Sequence, residues 1–329
     1  MVSPAALGPG REFDQIRRTL AGAPPLPDDV VVGPGDDAAV LAPDVVVSTD
    51  LAVEGVHFRL DWISAREAGI RAVGAAVSDL AAMGGELIGV LASVATPPPG
   101  DLGEELMGGV RSRTEELGGH LLGGDLTRSP GPLLVDVVVL GRAPRPLLRS
   151  GARAGDELWV TGFLGAAAGA VACWQAGDPL PPGLRQAFVR PEPRLQEVRW
   201  LTSRVRVTAA IDLSDGLAGD AGHLSAASAV ALRLQAGALP LASDLPGGDT
   251  LELALHGGED YEVLLAVAPG TLSRELVDEF ARRFQLPLTR IGDVETGSGV
   301  SLVPTGSGPP EPLARGGFDH LAVPEAGDP

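Results

Sequence analysis

The sequence contains no lysine: all 25 basic residues are arginine. That absence excludes a P-loop lysine, Schiff-base chemistry and pyridoxal-phosphate anchoring. The exclusion holds even if a GC-rich coding bias is the cause. Cysteine occurs once, at Cys173, so neither an intrachain disulfide nor a cysteine-cluster metal site can form. Set in alanine-rich sequence, it reads as a buried structural thiol. Aromatics are only 4% of the chain, against 45 Gly and 29 Pro, which implies many turns and aliphatic packing. Positive charge is scarce as well. The net charge is −18, whereas nucleic acid and anionic membrane surfaces are bound by basic surface, so neither is an expected partner. No run of about 18 apolar residues occurs, and no basic patch precedes an apolar segment at the N-terminus. The expectation is a soluble, cytoplasmic protein. No Gly-x-Ser-x-Gly stands in a strand–turn–helix setting, and His120, His223, His256 and His320 lack zinc spacing.

What is present is a chain of 329 residues, 44% of them hydrophobic. That is enough for about two domains with sizeable cores. Residues 14–33 read as a helix followed by a Pro-rich turn. Val45–Val47 read as a strand that delivers Ser48, Thr49 and Asp50 at its end. From Glu67 to Met83 the spacing predicts a helix with Ile70, Val73, Val77 and Leu80 on one face, stopped by Gly84–Gly85. A strand over 88–95, a helix over 102–117 and a strand over 133–140 follow, with Leu121–Leu122 running into Gly123–Gly124–Asp125. The stretch 143–156, rich in Pro, Gly and Arg, is the expected domain boundary, which divides the chain into 1–145 and 146–329. The second half begins with a strand over 157–161 and a helix over 165–176. A strand over 209–213 feeds a helix from Leu217, followed by a strand over 262–267 and an amphipathic helix over 274–284. Mixed strands and helices in each half imply an α/β or α+β protein.

Carboxylates recur beside Gly or a hydroxyl, at or near the ends of apolar runs. They are Asp36 and Asp37 after Gly35, Asp50 after Ser48 and Thr49, Asp79 after Ser78, Asp125 after Gly124, and Asp212 and Asp215 on either side of Leu213–Ser214, before Gly216. Glu259 and Asp260 follow a Gly pair. A single Asp–Gly pair is ordinary turn chemistry. Asp79, however, lies inside a helical stretch, where Asp is a poor helix former, and Asp50 and Asp212 abut strands. Several carboxylates converging on one site would repel unless cations were bound. Hard oxygen ligands suit Mg²⁺, and phosphoryl transfer uses metals to neutralise the γ-phosphate of ATP. Without lysine, Mg²⁺ and Arg must supply the positive charge. Arg149 is a candidate phosphate contact, or else a solvated linker residue. The segment 162–165 precedes a helix and could offer N–H groups to an anion, although it lacks the full dinucleotide fingerprint.

In order along the chain, the segments "GPGDDAAV" (33–40), "STDLAVEGVHF" (48–58), "AVSDLAAMGG" (76–85), "GGDLTRS" (123–129), "RSGARAGDELWVTGFLG" (149–165), "RPEPRL" (190–195), "IDLSDGLAGDAGHL" (211–224), "GGEDYEVLL" (257–265) and "GGFDHL" (316–321) resemble thiamine-monophosphate kinase. This family belongs to the aminoimidazole-ribonucleotide synthetase-like superfamily. The likeness spans nearly the whole chain. The resemblance implies a two-domain α/β (α+β) fold whose N-terminal mixed sheet pairs across a homodimer, with a C-terminal α/β domain. It implies direct transfer from ATP to thiamine monophosphate, giving thiamine diphosphate and ADP. Its Mg²⁺ ligands, several ions in all, would be Asp37 with Asp36, Ser48, Thr49, Asp50, Asp79, Asp125, Asp212 and Asp215. ATP would meet Gly124, Asp125, Arg149 and Ser214, near the dimer interface. Thiamine phosphate would meet His57, Glu259 and Phe318. Three residues depart from the family's commoner pattern. Pro34 replaces Ile and stiffens its loop, Leu126 replaces Thr and removes a hydroxyl, and Phe318 replaces Tyr or Trp and keeps only the stacking surface. Two rival readings are another ATP-dependent synthetase of the superfamily and a non-catalytic nucleotide- or metal-binding protein. The segments "EGVHF" and "GGEDYE", and the retention of every carboxylate, argue against them.

Overall fold

The computed structural model describes residues 11–21, 23–99, 101–306 and 308–313. The first half holds helices α1 (Arg11–Leu20), α2 (Ala65–Ala82) and α3 (Asp101–Glu116). Its strands are β1 (Val30–Val32), β2 (Ala39–Leu41), β3 (Val45–Val53), β4 (Glu86–Thr96), β5 (His120–Arg128) and β6 (Leu134–Arg142). They form one sheet in the order β1-β2-β3-β6-β4-β5, mixed because β4 and β5 run parallel while the other pairs are antiparallel. The second half holds helices α4 (Ala166–Ala176), α5 (Pro182–Val189), α6 (Leu195–Thr202), α7 (Leu217–Ser228), α8 (Thr250–His256) and α9 (Arg274–Phe284). Its strands are β7 (Glu157–Thr161), β8 (Val207–Asp212), β9 (Ala231–Gln235), β10 (Val263–Val267), β11 (Leu288–Glu295), β12 (Gly299–Val303) and β13 (Glu311–Pro312). These pair in the order β13-β12-β9-β11-β7-β10-β8. The protein is thus a two-domain α/β fold of two mixed sheets. Among the described residues no helix is long and apolar enough to cross a membrane.

Helix α2 ties the two halves together. Ser64 caps it: its hydroxyl accepts from the Glu67 N–H, and the Glu67 carboxylate accepts from the Ser64 N–H, the reciprocal capping box. The spacing of Ile70, Val73, Val77 and Leu80 predicts one buried face, but α2 is buried on nearly every side, Ser78 included. The reason is residue size. Its alanines and glycines let backbones approach closely, so α2 packs on α3, on β3 and β6, and on α5, α6 and β8 of the second half. A Cβ added to Gly69 would lie 2.1 Å from the Leu106 carbonyl oxygen, and one on Gly109 2.0 Å from that of Arg66.

Two elements differ from their sequence reading in ways that matter for the site. β3 continues to Val53, so Ser48, Thr49 and Asp50 lie within the strand and not at its end. β5 runs straight through Gly123–Gly124–Asp125, because both glycines adopt extended backbone at φ 155° and 159° and pair with β4. At Gly124 a Cβ would sit 1.9 Å from the Ala92 carbonyl oxygen, which explains a glycine inside a strand. Cys173 is buried, as its surroundings predict.

Overfilling a core costs about 1–3 kcal/mol, and a backbone carbonyl can yield only by moving its helix. Gly69→Ala is therefore expected to lower the melting temperature clearly, by pushing α3 away from α2. Ala at Gly222, where nothing lies within 4 Å of the added Cβ, is expected to leave it within about a degree or raise it, since Ala exceeds Gly in helix propensity. Thermal melts of the two variants check this.

Candidate active site

The acidic residues reach one place from four elements. Asp37 comes from the loop between β1 and β2, Ser48 and Asp50 from β3, Asp79 from α2, and Asp212 from the end of β8. Carboxylate oxygens of Asp37, Asp79 and Asp212 lie within 4.8 Å of one another. Strand alternation puts Ser48 and Asp50 on the face of β3 that carries buried Val46. There the Ser48 hydroxyl donates to Asp79 in a short contact. Asp50 and Asp215 stand close enough to raise Asp212, and Asp50 raises Asp79 too.

Positive charge at this cluster comes from Arg149. Its Nε and Nη2 donate to Asp37 Oδ1 at 2.9 and 2.6 Å, and its backbone N–H donates to Asp36. Burial dominates the electrostatics. It pushes the Asp37 carboxyl up to about 7, with Arg149 opposing and Asp212 adding. It lifts Asp36 and Asp212 each to about 6 and Asp79 well above the usual carboxylate range. The Oδ2 atom of Asp37 is buried with no hydrogen-bond partner. An orphaned carboxylate oxygen in an all-oxygen donor set fits a hard divalent cation such as Mg²⁺.

Other expected site residues lie elsewhere. Asp125 does not join the cluster within this chain. In the sheet register Leu51, Asp136, Ser93 and Asp125 form one row, and that row is on the outer face, away from buried Val46, Val137 and Ala92. The Thr49 hydroxyl points to the outer face, where it donates to Asp136 at 2.7 Å, while the residue itself also borders the cavity beside Asp50. Phe318 lies outside the described residues.

A cavity of about 650 Å³ opens beside the cluster. Asp50, Asp79, Asp212, Ser214 and Asp215 line one part of it, and His57, Trp62, Phe188, Glu259 and Tyr261 also line it. His57 is held by its own turn: Nδ1 accepts from the Val53 N–H at 3.1 Å. Glu259 sits in a loop with left-handed backbone at both Glu259 (φ 61°) and Tyr261 (φ 51°), costly for residues with a Cβ. Three buried contacts hold that loop. Arg71 pairs with Glu259. The Gly165 N–H donates to Asp260 at 2.9 Å. Arg194 forks onto Glu262, which also accepts from Thr161. The N–H groups before α4, expected to face an anion, thus meet the chain's own Asp260.

Sequence reasoning overlooked several of these residues. Asp220 accepts from the Asp215 N–H at 3.1 Å and forms a second cluster with Asp215 and His223. The i, i+3 spacing of Asp220 and His223 was the available signal. Burial, with Arg149 and Arg17 adding, lowers His223 to about 4, so it is neutral near pH 7. Arg71 and Arg194 gave no signal beyond their charge, because their partners are distant in sequence.

With this two-domain fold, the chain belongs to the class of AIR synthase related proteins. The family model of their N-terminal domain matches residues 35–143, and that of their C-terminal domain matches 153–304. The chain belongs, within that class, to the thiamine-monophosphate kinase family. It is 34% identical to the thiamine-monophosphate kinase of Salmonella typhimurium over 95% of this chain and 97% of that protein. The crystal structure of the Stenotrophomonas maltophilia thiamine-monophosphate kinase superposes with a TM-score of 0.72 at 35% identity, covering 88% of this chain and 95% of the other. A structure described as AaThiL complexed with AMPPCP and TMP superposes with a TM-score of 0.79 at 28% identity, covering 95% and 97%.

The raised carboxyls make stability depend on pH. Burial lifts Asp36, Asp37 and Asp212 from the ordinary carboxylate value of 3.8 to about 6 to 7 in the folded protein. Between about pH 4 and 7 the folded protein therefore holds more protons than the unfolded chain, and stability falls as pH rises through that window. Metal-free protein is expected to melt lower at pH 7.5 than at pH 5.5, and millimolar Mg²⁺ is expected to recover the loss at pH 7.5. Scanning calorimetry with and without chelator checks both. Asp79→Asn should flatten the metal-free pH dependence.

Proposed function

We propose that the protein transfers the γ-phosphate of ATP directly to thiamine monophosphate, giving thiamine diphosphate and ADP. The observation that carries this reading is the single cavity shared by the carboxylate cluster and by His57 and Glu259. The likeness to a structure with an ATP analogue and TMP supports it. Asp37, Asp79 and Asp212 would hold Mg²⁺, with Asp36, Ser48, Thr49, Asp50, Asp125 and Asp215 completing the coordination of several ions. Bound Mg²⁺ supplies charge neutralisation at the phosphate oxygens. The chain's residues do the positioning. Arg149, already turned toward Asp37, brings a cation to the phosphate end, and Gly124, Asp125 and Ser214 contact the nucleotide. His57 and Glu259, with Phe318, hold thiamine phosphate so that its phosphate oxygen lies in line with the γ-phosphorus. That oxygen is ionised near neutral pH, so no general base is required. Trp62, which lines the cavity, offers apolar surface for the rings of the acceptor.

Residues 1–145 would form the metal-binding and dimerising domain, and 146–329 the second domain. A cytoplasmic homodimer belongs to the same reading. Supporting it, the outer face and free edge of the first sheet expose Leu51, Leu122 and Leu126 at 49%, 47% and 63%. An uncovered apolar sheet face favours association. Asp125 stands on that face and edge, so dimerisation would bring it to a nucleotide bound near the interface.

The direct test is incubation with ATP, Mg²⁺ and thiamine phosphate, followed by chromatography for thiamine diphosphate. Tight ATP binding without product would favour a binding protein, and product from an aminoimidazole precursor would redirect the reading within the superfamily. Asp50→Asn and Asp125→Asn are each expected to lower kcat by at least a hundredfold with melting temperatures near wild type. His57→Ala is expected to raise KM for thiamine phosphate more than KM for ATP; equal effects would remove His57 from the acceptor site.

A further inference from the structure

We propose that Arg71 is the positioning residue that assembles the acceptor end of the cavity. It is a buried cation in the middle of α2, with 4% of its side chain exposed. Its guanidinium makes contacts in three directions. It pairs with the Glu259 carboxylate. Its Nε donates to the His57 carbonyl at 3.2 Å. Its Nη1 donates to the Phe188 carbonyl in a short contact, and its carbon centre lies 3.7 Å from the centroid of the Phe188 ring.

His57, Phe188 and Glu259 all line the cavity, whereas Arg71 does not. The three come from separate segments: the turn after β3, the end of α5 and the loop before β10. Arg71 therefore acts through residues that face the ligand. Its own element is the fixed one, because α2 is capped and packed on nearly every side. The loop it holds is the one that needs holding, since Glu259 is in left-handed backbone (φ 61°). The chemistry favours arginine specifically. A planar fork can pair with a carboxylate, donate to two carbonyls and stack on an aromatic ring at once, whereas an ammonium is a point charge with no stacking face. Removing the cation would leave Glu259 without its partner and release both flanking carbonyls.

The proposal rests on the reading of His57 and Glu259 as acceptor contacts, and one of its tests is independent of that reading. Arg71→Met, Arg71→Lys and Glu259→Gln are compared with wild type in steady-state kinetics. Arg71→Met is expected to raise KM for thiamine phosphate at least tenfold and KM for ATP less than twofold. Arg71→Lys should fall between Arg71→Met and wild type. Arg71→Met combined with Glu259→Gln should be no worse than Arg71→Met alone, because the two act as one unit. If Arg71→Met does not fold, Arg71→Lys decides: a threefold or greater rise in KM for thiamine phosphate alone supports the proposal. A lowered melting temperature with unchanged or equally changed KM values overturns it. Hydrogen exchange reads the same device without substrate. Amides of 54–58 and 257–262 should exchange at least tenfold faster in Arg71→Lys or Arg71→Met, and unchanged protection at both segments overturns the proposal. A wild type that makes no thiamine diphosphate would sink the functional reading alone, and the exchange data would still judge Arg71.

Discussion

The dominant constraint in this structure is mutual repulsion among buried carboxylates. Asp37, Asp79 and Asp212 hold their oxygens within 4.8 Å of one another, with Asp50 and Asp215 adding to the field. Desolvation and like charge both oppose ionisation there, and Arg149 offsets only part of the cost. A chain selected for stability alone would not keep such a cluster. Buried ionisable groups with strongly shifted titration gather at functional sites, and here the donor chemistry is all oxygen.

Meeting that constraint requires rigid elements from both halves. Asp79 and Arg71 are two turns apart on α2, one facing the carboxylate cluster and the other the acceptor loop. The small side chains of α2 allow this double duty. They bring α3 to within backbone contact on one side, with α6 and β8 packed on the other. Helix α2 is thus part of the core and the frame of the cavity at once. The loop 257–262 is the opposite case. Its left-handed residues are costly alone, and buried ion pairs and backbone donors from three other segments keep it in place.

Much of the secondary structure was legible because its signals are local. α9 falls over Arg274–Phe284, as its amphipathic spacing predicts, and β7 over Glu157–Thr161, as its apolar run predicts. The errors also have physical causes. Glycines mark turns in most settings, but Gly123 and Gly124 pair with β4 inside a strand, and at Gly124 the Ala92 carbonyl leaves no room for a Cβ. The short helices α5, α6 and α8 and the strands β9, β11 and β12 depend on tertiary packing, and weak local periodicity did not announce them.

The sequence by itself determined the chemistry available: no lysine, one cysteine, and a series of carboxylates beside Gly and hydroxyls in a recognisable order. Residue identity and short spacings carry that information, and folding does not alter them. Only the tertiary structure decided which carboxylates meet. It put Ser48 and Asp50 on one face of β3 and Thr49 on the other, and it set Asp125 on the outer face of the sheet. It also gave Arg71 its partners at His57, Phe188 and Glu259. Those outcomes turn on strand register and helix packing, which couple residues such as Arg71 and Phe188, 117 positions apart, and leave no trace in local sequence.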